Sequence, residues 1–307
     1  MTRWSPLLAA TLDLALGEPR RGHPVRLMGR FLEGARSQDI ASGRARSAGA
    51  GARAVVGGAI LVAGCAHVAS RLARSRPFPQ STLGEALLLA PTFSIRELMA
   101  AGRRVRRALE RGRLDRARAL VGRDLVGRPT TTLSARGVVS ATIESLAENF
   151  SDGIAAPLLW ATVAGLPGAY TYRFLNTADS LLGYWTEELE SYGRFAARTD
   201  DLANLLPARL SAGFISAAAR FGSGSPTGAL HAAFREAGST ASPNAGWPIA
   251  AMGGALGVRL EKEGHHVVNL GGRPPLPSDI ARAERIVLGG AALAVLTAVA
   301  ASKWRAS

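Results

Sequence analysis

The sequence is poor in cysteine, lysine and aromatic side chains, and each shortage removes a class of protein. Cys65 is the sole cysteine among 307 residues, so neither an internal disulfide framework nor a cysteine-based zinc cluster exists. It sits in an apolar run, where a thiol ordinarily serves as a small packing side chain. Lys262 and Lys303 are the two lysines, although lysine and arginine together number 37 against 23 acids. The net charge of +14 is therefore carried by arginine. An arginine bias also follows from GC-rich coding, so charge alone identifies no partner. Aromatics make up 6% of the chain, and no aromatic-interleaved basic strand or zinc-finger spacing is present, which argues against nucleic acid. Also missing are GxxxxGK[ST], a GxGxxG after a strand, and HExxH. The histidines, His23, His67, His231, His265 and His266, show no zinc spacing. Alternating strand patterns are scarce and no repeat of fixed period is visible.

What the chain does have is apolar surface. Hydrophobic residues reach 47% with 20% charged, and mean hydropathy is +0.11. These values coexist because apolar and charged blocks alternate. Pro6–Leu16 is apolar except for Asp13 and lacks a cleavage site, so it reads as a retained membrane or interfacial helix. Ala54–Ser70 and Gly153–Tyr172 carry no formal charge. Ile286–Ser302 is similar, and Asn204–Ala219 is interrupted only by Arg209. These approach the length of a bilayer span. Leu83–Met99 is weaker, either crossing or dipping in and returning. Ala237–Val258 is uncharged but holds Pro243, Pro248 and several glycines, which suits a broken or re-entrant helix lined by protein. Arg36–Arg53 and Arg103–Arg118 read as cytoplasmic basic loops. The fold predicted is all-α, a polytopic integral membrane helical bundle with broken or re-entrant helices, forming one domain over residues 1–307. A soluble helical enzyme with long buried helices is the alternative, because several stretches are short.

Polar clusters lie at the edges of the apolar blocks. In VVSATIESLAENFSDG, Glu144, Glu148 and Asp152 follow helical i,i+4 spacing and share one stripe, beside Asn149. Three acids next to an apolar run require compensation by a metal, arginines or a cationic substrate, or else form a solvated face. In RFLNTADSLLGY, Asn176, Asp179 and Gly183 share a face, with Ser180 nearby. A third cluster is Arg198, Asp200, Asp201, Asn204 and Arg209. Carboxylate and amide oxygens suit Mg²⁺, which keeps waters and phosphates as further ligands, and arginines suit phosphate. The mixture favours a Mg²⁺-phosphate site. Arg123 and Asp124 in Gly122-Arg123-Asp124 form by themselves a loop-stabilising ion pair. Ser242-Pro243-Asn244 offers hydrogen bonds on a fixed backbone, and Asp13, Glu18, His23 and Pro24 make a polar break after the first apolar stretch.

Taken in order, GEP with HPVRLMG, GRD, IESLAENFSDGIAAPLLW, YRFLNTADSLLGY, ARTDDLANLLPARL and SPNAGWPIAAMGGALGV resemble the motifs of the CobD/CbiB cobalamin-biosynthesis proteins, over nearly the whole chain. The resemblance implies a multi-pass enzyme of the bacterial inner membrane. It implies ATP-dependent amide ligation of adenosylcobyric acid, an adenosylated corrinoid, to an amino-alcohol phosphate. It implies Mg²⁺ and ATP at Glu144, Glu148, Asp152, Asp179, Asp200 and Asp201, with Glu144, Asp179 and Asp201 as the catalytic acids. Phosphate contacts fall on Arg123, Arg198 and Arg209. Asp124, Asn149, Asn176, Ser180, Asn204, Ser242 and Asn244 complete the nucleotide and substrate contacts. Membrane lipids are expected around it, and other cobalamin-assembly enzymes or further copies of the chain are compatible partners. Two departures stand out: Leu125 follows Asp124 where the family has threonine, with Thr130–Thr132 as candidate replacements for the hydroxyl, and Glu261-Lys262-Glu263-Gly264-His265-His266 replaces a Gly-Gly turn and tyrosine-containing loop. The rivals are a Mg²⁺-dependent membrane prenyl- or phospho-alcohol transferase, which favours DDxxD-like repeats, and a non-catalytic sensor or scaffold of related fold, which would have lost the acid-arginine set.

Overall fold

Apolar blocks of this length fold into helices because the backbone has no other way to satisfy its hydrogen bonds away from water. The computed structural model is helical throughout, apart from one short hairpin. It describes residues 1–17, 22–43, 47–127, 129–183 and 190–304, with residues 303 and 304 described by their backbone alone. Glu18, Pro19, Arg44, Arg46 and Tyr184, which fall in the motifs and basic segments above, lie outside the described residues, as does the side chain of Lys303. The chain divides into two compact units of discontinuous sequence.

The first unit comprises Met1–Ser94, Ala156–Asn204 and Val295–Ser307. It contains α1 (Ser5–Leu16), α2 (Pro24–Ala41), α3 (Ala48–Arg74), α4 (Gln80–Leu89), α8 (Ala156–Leu182) and the first half of α9 (Glu190–Ala218). His23 starts α2 as its N-cap, with Nδ1 accepting from Val25 N at 3.2 Å, and Pro24 at the first helical position needs no donor partner. The core gathers Met28 and Leu32 of α2, Val55 of α3, Phe174 and Ala178 of α8, and Tyr192 and Ala196 of α9. Glycine allows the close approach: a Cβ on Gly51 would lie 2.0 Å from Tyr192 O, and one on Gly58 would lie 2.1 Å from the Phe174 ring. The opposite face of α3 exposes Val56, Ile60, Leu61, Val68 and Leu72. In α8 the backbone leaves helical geometry at Gly165, with φ of 69°, two residues before Pro167.

The second unit comprises Ile95–Ala155 and Leu205–Ala294. Its elements are α5 (Ile95–Glu110), α6 (Leu114–Asp124), α7 (Ala135–Phe150), a π-helical turn at Ser151–Ala155, the rest of α9, α10 (Pro226–Glu236), α11 (Gly246–Leu256), β1 (Leu260–Lys262), β2 (His266–Val268) and the first part of α12 (Pro277–Trp304). The segment Arg103–Arg118 is not a loop. It is the end of α5, a turn at Gly112 with φ of 67°, and the start of α6. Apolar residues at helical spacing, Leu98, Gly102, Val105 and Ala108, are buried, while arginines occupy the other face. α10 and α11 touch through Gly228 and Gly254, where a Cβ on Gly254 would lie 2.3 Å from Gly228 O. Asp279, in the first turn of α12, is buried and fully paired: Arg273 reaches both its oxygens at 2.7 Å and Arg282 reaches Oδ1 at 2.8 Å.

Four helical segments are long and apolar enough to cross a membrane: Ala48–Arg74, Ala135–Leu182, Glu190–Gly222 and Pro277–Ser302. The 27 residues of α3 span about 40 Å at 1.5 Å per residue, more than the roughly 30 Å hydrocarbon core. Two other apolar blocks break. Ala237–Val258 resolves into a 3-10 turn, a polar loop and the 11-residue α11. Leu83–Met99 resolves into the end of α4, a turn at Ala90–Thr92 and the start of α5. The protein is an all-α, polytopic membrane protein.

Candidate functional site

In the first unit the NTxDS and ARxDD motifs meet. One turn of α8 and one turn of α9 face each other, and a chain of hydrogen bonds joins them. Tyr172 donates to Asn204 Oδ1 at 2.9 Å, and Asn204 Nδ2 donates to Asp200 Oδ2 at 3.0 Å. Asn176 Nδ2 reaches the other oxygen, Asp200 Oδ1, at 3.4 Å, and Arg173 reaches Asn176 Oδ1 at 3.5 Å. Asp200 and Asn204 are buried. Asp179 and Asp201 both act electrostatically on Asp200, so the three carboxylates occupy one neighbourhood. Ser180 donates to Asn176 O at 2.9 Å, and it and Arg198 are exposed. Tyr172 is the contributor that spacing analysis missed; its signal was its place four residues before Asn176, at helical i,i+4.

In the second unit the acidic motif is divided. Glu144 is buried, Glu148 exposed and Asp152 half-buried. The single stripe ends because α geometry ends at Phe150: the wider π-turn over Ser151–Ala155 breaks the i,i+4 register before Asp152 is aligned. Glu144 is held from two sides. Ser140 donates to its Oε1 at 2.9 Å, and His266 Nε2 lies 3.0 Å from its Oε2. Ser140 also accepts from Glu261 N at 2.6 Å. The altered segment Glu261–His266 is thus an antiparallel hairpin, pairing Lys262 with His266, fastened to α7. Asn149 donates to Ser145 O at 2.9 Å.

Two further motifs join in the same unit. Arg209 lies over the Trp247 ring, 4.8 Å from its centroid, and donates to Asn244 Oδ1 at 3.3 Å. Ser242 Oγ accepts from Asn244 N and Ala245 N at 3.2 Å, which fixes this turn. The GRD segment is an ion-pair cluster. Arg123 Nε lies 2.6 Å from Asp124 Oδ1 and Arg104 Nη2 2.9 Å from Oδ2. Thr130, a candidate for the absent hydroxyl, is buried and donates to Arg118 O at 2.8 Å, and a Cβ on Gly122 would lie 2.6 Å from its Oγ1. Leu125 O accepts from Ser145 at 2.8 Å. Both positions therefore act locally: Thr130 fastens the following loop to α6, and the Leu125 carbonyl ties the end of α6 to α7. Among the described residues, no group of three or more His, Cys, Asp or Glu side chains is arranged to hold a metal ion.

A family profile described as CobD/Cbib protein matches residues 6–288. The chain belongs to the CobD/CbiB family. It is 38% identical over 291 residues to the cobalamin biosynthesis protein CobD of Rhodobacter capsulatus, covering 90% of each chain. It is 38% identical over 298 residues to that of Mycobacterium tuberculosis, covering 94% of this chain and 92% of the relative. With the protein of the same name from Rhizobium meliloti it shares 41% identity over 263 residues, 83% and 80% of the two chains. No solved structure matches. The matched span, residues 6–288, takes in parts of both compact units and all the clusters described above.

Proposed function

We propose that this family member is an adenosylcobinamide-phosphate synthase of the bacterial inner membrane, an ATP-dependent carbon–nitrogen ligase. It joins adenosylcobyric acid to (R)-1-aminopropan-2-ol phosphate, or to ethanolamine phosphate, and releases ADP and phosphate. The observation that supports this most is a family match from residue 6 to 288, a span that holds the acids, amides and arginines of the motifs above.

A carboxylate does not condense with an amine in water, so one of its oxygens must first become a leaving group. Phosphorylation of that oxygen by ATP achieves this and frees ADP. The amine nitrogen then forms the C–N bond as phosphate departs with the oxygen, and a base takes the protons that nitrogen loses. Mg²⁺, when bound, neutralises phosphate charge during the transfer. The first unit offers that ion carboxylate oxygens from Asp179, Asp200 and Asp201, and Mg²⁺ usually takes one or two protein carboxylates and fills its shell with water and phosphate, so a pair of these acids would suffice although, among the described residues, no three acids are arranged as a metal-holding group. On this reading its ligands come from among these first-unit acids, and Glu144, Glu148 and Asp152, in the second unit, form a separate candidate set. Asp200, held at both oxygens by amides, is the positioned acid, while Asp179 and Asp201 are the candidates for the base. Arg123, Arg198 and Arg209 bind phosphate oxygens.

The test is ligation by purified protein in detergent, with adenosylcobyric acid, Mg-ATP and a panel of amino-alcohol phosphates. ADP and corrinoid amide should form in equal amounts. Asp179→Ala and Asp201→Ala should each abolish ligation while the protein stays in the membrane fraction. Absence of product from every amine would overturn the enzyme reading, and full activity in both variants would overturn the site.

A further inference from the structure

One charged cleft lies beside the Glu144 cluster and has been given no ligand above. In the second unit a cavity of about 420 Å³ opens between the start of α7 and the hairpin. Ser134, Arg136 and Ser140 line one wall, and Arg259, Glu261 and Glu263 line the other. Among the described residues, the side chains of Arg136 and Glu263 form no hydrogen bond or ion pair with the protein. One is a cation on the helix wall and the other an anion on the hairpin wall. Arg259 and Glu261 pair with each other at 2.5 Å, both partly exposed. The helix wall is the first turn of a 16-residue helix capped by Ser134, whose Oγ accepts from Gly137 N at 3.1 Å. The positive end of the helix adds to Arg136.

The charges are arranged for a molecule that carries both signs. A lone anion meets two glutamates, and a lone cation meets two arginines and a helix N-terminus. A small zwitterion satisfies each wall with its opposite charge. We propose that this cleft binds the amino-alcohol phosphate, with its phosphate toward Arg136, Arg259 and the start of α7, and its ammonium toward Glu261 and Glu263. This rests on the ligase reading, in which such a molecule is the amine substrate. The cleft is joined to the acidic motif: Ser140 bonds Glu144 on one side and the Glu261 backbone on the other. A substrate that draws the hairpin toward α7 therefore acts on the segment that holds Glu144 through His266.

Two measurements test the assignment. In calorimetry on the detergent-purified protein without ATP or corrinoid, ethanolamine phosphate should bind, with ethanolamine and inorganic phosphate each weaker by about tenfold or more, the loss of one charge-assisted contact. In steady-state ligation, Arg136→Ala and Glu263→Gln should each raise the KM for the amino-alcohol phosphate by about tenfold, with the KM for ATP unchanged. Glu263 sits beside the exposed Gly264 turn, so its variant keeps the test open should Arg136→Ala fail to fold. An unchanged KM for the amine in both variants of an active enzyme would overturn the cleft while the ligase reading stands. Zwitterion binding by a protein that ligates nothing would leave the cleft standing and remove the reaction.

Discussion

Asp124 keeps its charge because two guanidinium groups flank it. The hydrogen bond from Arg123 holds the carboxyl below the usual carboxylate range; partial burial opposes this and Arg104 reinforces it. A depressed carboxyl pKa means that the unfolded chain binds protons that the folded chain refuses. The pairing therefore contributes its full stability above the ordinary carboxylate range and loses it as pH falls through the depressed value. Exposed pairs of this kind contribute about 1 kcal/mol or less, so Asp124→Asn should lower the thermal midpoint at pH 7 by at most about 2–4 °C. Scanning fluorimetry in detergent should show that difference shrinking towards zero on acidification; a difference independent of pH would mean that charge is not its source. This ion pair was legible in three consecutive letters. The contact of His266 with Glu144 was not, because 122 residues separate the two and His266 opens a strand while its neighbour His265 still lies in the turn. Local spacing carries no information about such a meeting.

At the scale of the helix, α3 shows how glycine divides one element into a packed face and a lipid-facing one. Gly51 and Gly58 lie against Tyr192 and Phe174 with no room for a Cβ, whereas around Gly57 and Gly64 nothing lies within 4 Å of one. Gly51→Ala drives a methyl group into the backbone of α9, which cannot give way as a side-chain tip would. Overpacking of this kind costs about 1–3 kcal/mol. Gly51→Ala should therefore lower the thermal midpoint by several degrees, while Gly57→Ala should hold or raise it through better helix propensity. Equal effects at the two sites would refute this division of faces. Uncharged runs marked where the long helices lie, but understated their length: Ala54–Ser70 became Ala48–Arg74, since arginines at the ends of a span reach to the interface and do not terminate the helix. The run holding Pro243 and Pro248 was read correctly as broken, because proline and glycine act on the local backbone, whereas the run holding Pro91 reads as either crossing or dipping in, and it breaks at Ala90–Thr92. The π-turn at Ser151–Ala155 and the helical state of Arg103–Arg118 escaped, because one is set by tertiary packing and the other by an apolar stripe hidden among charges.

For the whole molecule, the decisive quantity is the apolar surface that its long helices leave uncovered. On α3 little of the apolar window is buried, and Ile60, Leu61, Val68 and Leu72 are each more than half exposed. In water a face of this size would drive aggregation, whereas against acyl chains it is the ordinary surface of a span. Cys65, also exposed, lies on this helix between Leu61 and Val68, and as the sole thiol it reports on what surrounds α3 without any engineering. In sealed membrane vesicles a charged, water-soluble maleimide should leave Cys65 unmodified, and the same reagent should label it after denaturation in dodecyl sulfate. As a positive control, Arg111→Cys in a Cys65→Ala background, on the basic surface near the α5–α6 turn, should be labelled in vesicles opened to admit the reagent to both faces. Alkaline carbonate washing should leave the chain in the pellet. Rapid labelling of Cys65 in intact vesicles, or release by carbonate, would mean that water and not lipid covers α3, and the soluble helical alternative would then account for its apolar length.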